Sequence, residues 1–168
     1  MSHTIRAALA AIAAVVATPI SAAQAMPMGG SLTAQVDNQS TQPVGKGGQI
    51  RLTKTATGTN TGPGTPLDGA TVRFSDVAVL KDGQGTLKGT ITFATPSGTT
   101  SSPYTGRVAT DAAGRVTAEG AFRTTKGTGD FAGLKGTGTF SVAFTSPKDF
   151  AGQWQGEFQA PAQRTSRR

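Results

Sequence analysis

The chain contains no cysteine, and its only histidine is His3. These two absences decide much of the chemistry. Without cysteine there is no disulfide framework, no thiolate nucleophile and no lipid-modified cysteine. Without histidine beyond position 3, Ser-His-Asp and Cys-His activation fall away, as do the common zinc ligand sets. Any reaction must use Asp, Glu, Lys, Arg or Tyr, or confinement alone. Aromatics are also sparse, at 6%, with a single Trp and a single Tyr. No stretch has a sustained helical period.

What is present begins with a short basic head, Met1 to Arg6, and an apolar run from Ala7 to Ile20. Ser21-Ala22-Ala23-Gln24-Ala25 follows, with small residues at Ala23 and Ala25. This layout predicts a secretory signal peptide over 1–25, cleaved before Met26. The apolar run is too short for a spanning helix, so no transmembrane anchor is expected. The mature protein is expected in the periplasm or outside the cell. Without disulfides, a core must hold it together, and its length suffices for one domain.

The formal charge is +7, and removing residues 1–25, whose only charge is Arg6, leaves +6. The basic residues are spread out: Lys46, Arg51, Lys54, Arg73, Lys81, Lys88, Arg107, Arg115 and Arg123. Such spacing reads as a solvated surface. Only Arg164, Arg167 and Arg168 cluster, in a polar tail over 160–168.

From residue 31 onward apolar and polar residues alternate with period two. Eight strands are predicted, at roughly 31–37, 47–55, 70–80, 86–95, 104–110, 115–124, 136–145 and 150–159. Thr55 to Gly69 reads as a long loop and Pro96 to Pro103 as a second. Between Val72-Phe74 and Val77-Val79 the apolar phase shifts by one, which predicts a bulge near Ser75-Asp76. Short hairpins between eight antiparallel strands predict an up-and-down β-barrel; a two-sheet β-sandwich is the alternative. The domain is expected to span 26–159. Inward rows carry Gly89, Gly106, Gly120, Gly136, Gly138, Gly152 and Gly156. Glycine there allows tight coiling and leaves room beside aromatic rings.

Several motif readings fail. Gly127-x-Gly129 has no third glycine at the dinucleotide spacing and no helix after it. Glu119 and Glu157 fall on outward faces, so no carboxylate pair converges. Asp37, Asp68, Asp82, Asp111 and Asp149 sit in or beside turns, where Asp is expected to bond locally. No metal site and no cofactor are indicated. Phe122, Phe140, Trp154 and Phe158 point inward, so no nucleic-acid platform is expected.

The run Gly127-Thr128-Gly129-Asp130-Phe131-Ala132-Gly133-Leu134-Lys135-Gly136 resembles the Gly-Thr-Gly-x-Phe-x-x-Ala-x-Gly signature of dirigent proteins and the allene oxide cyclase barrel. Leu134 stands where those families have Ala. The likeness extends over about 32–159 and is most specific at 126–138. It implies an eight-stranded calycin-like barrel. Gly127, Gly129, Phe131, Gly133 and Gly136 would form a structural corner, with Phe131 plugging one end. The resemblance also implies steering of a cyclisation or a radical coupling, often in an oligomer. Asp76, Arg73 and Tyr104 are chemically similar to those families' functional residues. Each has a plainer reading: Asp76 caps a bulge, Arg73 faces solvent, and Tyr104 packs with its hydroxyl at a strand end.

Three functions follow as expectations. The first is binding of a small apolar or phenolic ligand in a lumen lined by Phe74, Phe93, Tyr104, Phe122, Phe140 and Trp154. The second is cofactor-free steering of a cyclisation, isomerisation or coupling. The third is a non-catalytic surface or matrix protein. A homo-oligomer is compatible with each. An isolated polar cluster near Tyr104 would favour the second, and a plain apolar lumen the first.

Overall fold

The computed structural model describes residues 25–160. The predicted signal segment, apart from Ala25, and the predicted tail, apart from Ala160, lie outside the described residues. The strands are β1 (Ala25–Val44), β2 (Gln49–Thr61), β3 (Thr71–Lys81), β4 (Gln84–Thr95), β5 (Gly98–Thr110), β6 (Val116–Thr124), β7 (Lys126–Gly127), β8 (Lys135–Phe144) and β9 (Asp149–Gln159). Each long strand pairs antiparallel with its neighbour in sequence, β6 passing over the two-residue β7 to β8. β1 pairs with both β2 and β9, which closes the sheet. The protein is therefore a closed eight-stranded antiparallel barrel with one short extra strand, and the sandwich alternative is set aside. Closure leaves most backbone polar groups paired and few edges exposed.

Alternation turns one row of each strand inward. The core holds Leu32, Ala34, Val36, Phe74, Leu87, Ile91, Phe93, Tyr104, Phe150, Trp154 and Phe158, all buried. Burying a large apolar side chain contributes about 1.5–3 kcal/mol, and this replaces the missing disulfides. The inward glycines sit beneath rings: Gly120 under Phe140, Gly138 under Phe122 and Gly136 under Phe158.

One barrel end is capped. The 62–70 loop places Leu67 there, 2% exposed, and the turn around a 3-10 segment at Gly129–Phe131 adds buried Phe131 and Leu134. Gly129 has φ 58, and a Cβ there would collide with the Ser97 carbonyl, so the corner needs glycine. The opposite end is ringed by hairpins, with Leu52, Leu80, Val108 and Phe144 only partly buried. From Asn38 to Val44, β1 pairs with β2 alone, so this hairpin reaches past the rim.

Four expectations are corrected. The Thr55–Gly69 segment is not all loop: β2 continues to Thr61, with Thr57, Thr59 and Thr61 outward and Ala56, Gly58 and Asn60 inward. The inward residues are small or polar, so apolar alternation did not reveal the strand. Pro96–Pro103 is likewise mostly strand, because β5 begins at Gly98. Pro103 lies between the β6 ladder on β5, which stops at Tyr104, and the β7 ladder, which begins at Ser101. Its missing N–H is therefore tolerated there.

The bulge is also misplaced. β3 pairs in unbroken register with β2 and β4 through Ser75 and Asp76. Asp76 continues the inward row of Val72, Phe74 and Ala78, while Val77 and Val79 face outward. The register shift lies in β1 instead, between Val36 and Asn38. Finally, Lys54 is not a surface charge. It is 9% exposed, in the inward phase of β2 between Leu52 and Ala56.

A buried polar cluster in the aromatic lumen

Phe74, Phe93, Tyr104, Phe122, Phe140 and Trp154 all line one internal cavity of about 50 Å³. The rings pack against one another. Phe93 and Phe122 lie 5.4 and 6.1 Å from Trp154, centre to centre, and Phe140 lies 5.3 Å from Tyr104. Tilted and edge-on geometries of this kind suit the ring quadrupoles.

Into this apolar enclosure three elements bring a charged cluster. β3 supplies Asp76, 3% exposed. β2 supplies Lys54, whose Nζ lies 3.0 Å from Asp76 Oδ2. β5 supplies Tyr104, whose hydroxyl donates to the same oxygen at 2.7 Å. Tyr104 is mid-strand, not at a strand end, and its hydroxyl is buried. It must reach across β4 to meet Asp76. Gly89 makes this possible, since a Cβ there would lie 2.5 Å from Asp76 Cβ and 2.8 Å from Tyr104 Cζ. The inward glycine is thus part of the site.

The cluster is electrically balanced. Lys54 offsets the Asp76 charge, and its ammonium also lies 4.8 Å from the Phe150 ring centre and 5.6 Å from that of Phe144. A cation over ring faces gains from the quadrupole. Burial, then the Asp76 charge, then the hydrogen bond to Asp76 push the Tyr104 hydroxyl far above its ordinary value. Tyr104 is accordingly a proton donor in a hydrogen bond and not a base.

One atom is left over. Asp76 Oδ1 is buried and has no hydrogen-bond partner, although both oxygens of an ionised carboxylate are strong acceptors. Its neighbour Oδ2 takes both available donors.

Two further polar contacts line or brace the lumen. Ser102 and Thr124 hydroxyls meet at 2.8 Å, both buried. Asn60, fully buried, accepts from Trp154 Nε1 at 2.8 Å and donates to the Leu67 carbonyl at 2.7 Å. This amide ties the capping loop to the indole.

Arg73 faces solvent on the outer side of β3 and takes no part. The glycines Gly127, Gly129, Gly133 and Gly136 belong to the capped end and do not line the cavity. Glu119 and Glu157 are exposed. Of the turn aspartates, Asp111 accepts from the Ala113 and Arg115 amides, and Asp149 from Ser146 and Gln35. No group of three or more His, Cys, Asp or Glu that could hold a metal occurs among the described residues. On β2, Lys54 and Asn60 are site residues that the alternating apolar pattern did not reveal. Extending the phase of β2 from Ile50 and Leu52 would have placed both inside.

A broad depression of about 1340 Å³ on the outer face is lined by Arg51, Lys88, Arg107 and Glu119 among outward Thr, Ser and Gln. Val77 and Val79 contribute apolar surface to it, and it is open to solvent rather than enclosed. Compared with protein-family models and with curated proteins, the chain finds a match in neither.

Proposed function

We propose that this is an exported β-barrel protein that takes a small apolar or aromatic molecule into its lumen. The observation that carries this reading is the unpaired, buried Oδ1 of Asp76, a residue that lines a cavity together with seven aromatic side chains. An orphaned acceptor in a low-dielectric site is destabilising unless something meets it. Export is supported by the amino-terminal sequence pattern.

The resting cavity is small. An apolar cavity of about 150 Å³ holds benzene, three times the volume here. Ligand uptake therefore requires the half-buried Phe122 and Phe140 to move aside.

The test uses Trp154, the only Trp, which is 5% exposed and lines the cavity. Titration with small aromatic compounds is expected to change its fluorescence and raise the melting temperature. A panel that leaves both signals unchanged removes the reading.

The charged cluster in a lumen whose other polar lining is only the Thr100, Ser102 and Thr124 hydroxyls favours a second reading, cofactor-free steering of a cyclisation or isomerisation. This accords with the allene oxide cyclase and dirigent resemblance. Asp76 Oδ1 would be the free acceptor, with the Tyr104 hydroxyl holding the carboxylate in place through Oδ2. A bound compound would then leave changed, which NMR of the recovered compound detects; its recovery unaltered removes the second reading alone.

A further inference from the structure

We infer that Asp76 Oδ1 is the anchor of the lumen and that it selects neutral ligands bearing a hydrogen-bond donor, a hydroxyl or an N–H. This rests on the lumen-binding reading above and adds the ligand's chemical class.

Asp76 Oδ1 has an unmet hydrogen-bonding capacity. A carboxylate oxygen accepts and cannot donate. Lys54 and Tyr104 both bind Oδ2, at 3.0 and 2.7 Å, so neither satisfies Oδ1. A ligand atom meeting Oδ1 must therefore bring a hydrogen. A ligand acceptor placed there would face lone pairs and be repelled.

Charge narrows the class further. Lys54 already neutralises Asp76, so the cluster presents no net charge to a ligand. A carboxylate ligand would lose its hydration in an aromatic enclosure and meet the Asp76 lone pairs. A cationic ligand would lie near the Lys54 ammonium. A neutral donor incurs neither penalty. Its bond to a charged acceptor is of the stronger kind.

Size sets the probe. With about 50 Å³ at rest, the smallest aromatic rings are the fair test. Pyrrole and furan have nearly the same shape, and furan replaces the N–H donor with an oxygen. Binding of pyrrole, furan and 2-furoate to the full chain is followed by Trp154 fluorescence and by calorimetry. Pyrrole is expected to bind at least about tenfold more tightly than furan, as a charge-assisted hydrogen bond implies, and 2-furoate more weakly than either. In the double variant Lys54→Met/Asp76→Asn, which leaves no unpaired charge, the pyrrole preference should shrink to within about twofold.

The outcomes separate the two ideas. Equal binding of pyrrole and furan overturns the anchor while leaving the lumen reading intact. So does a pyrrole preference that persists undiminished in the double variant. Binding by none of the probes overturns the lumen reading and the anchor with it. If the double variant does not fold, the pyrrole-to-furan ratio in the unaltered protein still decides.

Discussion

Replacing Lys54 by Met should destabilise the barrel more than any surface change, and replacing Asp76 as well should undo the damage. Asp76 has 1% of its side chain exposed and Lys54 has 10%. Removing Lys54 leaves a buried carboxylate with only the Tyr104 bond, and breaking such a pair from one side typically costs about 3–5 kcal/mol. Removing the charge of Asp76 alone costs less. The Lys54 ammonium keeps the Phe144 and Phe150 faces and some access to water, which offsets about 0.5–2 kcal/mol. Asp76→Asn should therefore lose about 1–3 kcal/mol. The amide at position 76 still offers an acceptor to Tyr104. The double variant Lys54→Met/Asp76→Asn leaves no orphaned charge and should fall within about 1 kcal/mol of the parent. Additive singles would lose about 4–8 kcal/mol together, so the coupling is at least about 3 kcal/mol. Urea unfolding followed by Trp154 fluorescence reads this directly. With a slope of about 1–3 kcal/mol per molar, Lys54→Met should lower the midpoint by on the order of 1–3 M. A double variant that loses the sum of the two singles would show that Lys54 and Asp76 are not coupled. So would a Lys54→Met protein as stable as the parent.

Two further outcomes are expected. Tyr104 is the only Tyr, and its ionisation is held above the ordinary 10.0 by burial and by Asp76. A folded value raised above the unfolded one gives stability that is complete below pH 10 and drains away as pH climbs beyond it. Folded protein at about pH 11 should show no tyrosinate absorbance until it unfolds, and Tyr104→Phe should flatten the alkaline loss; tyrosinate titrating in the folded protein near the ordinary value contradicts this. Gly89→Ala should displace Tyr104, because the added carbon also meets the Ser75 carbonyl at 2.6 Å and cannot slip sideways. Overpacking and a lost hydrogen bond together predict a loss of about 2–5 kcal/mol, and an unchanged melting midpoint would show that the ring does not depend on that gap.

The strands that could be read in advance are those whose inward rows carry aromatics and branched aliphatics. Leu87, Ile91 and Phe93 on β4 and Trp154 and Phe158 on β9 advertise their faces. That Phe74, Phe93, Tyr104, Phe122, Phe140 and Trp154 face inward is legible for the same reason. β2 was readable only in its first half. Beyond Leu52 its inward positions are Lys54, Ala56, Gly58 and Asn60, and none of these signals a buried face on its own. The cluster was hidden by the same rule that revealed the barrel. Hydrophobic periodicity assigns a charged residue to the solvent side, so Asp76 in the inward phase looked like a bulge and Lys54 like surface. Only pairing across strands, Lys54 opposite Asp76 and Asp76 opposite Gly89, shows that the charges answer one another. The inward phase of Gly89 predicts space beside a ring, and that ring is Tyr104.

Ala25 and Gln159 are paired Cα to Cα across β1 and β9, at the end covered by Leu67 and Phe131. Both ends of the described segment therefore lie at the same end of the barrel. A label, a bead or a display scaffold joined at either one sits on the capped side. The hairpin rim with Leu52, Leu80 and Phe144 then points away from the attachment, into bulk solution. Barrels tethered at either end of the described segment would share one polarity. The face nearest the half-buried apolar side chains stays unobstructed.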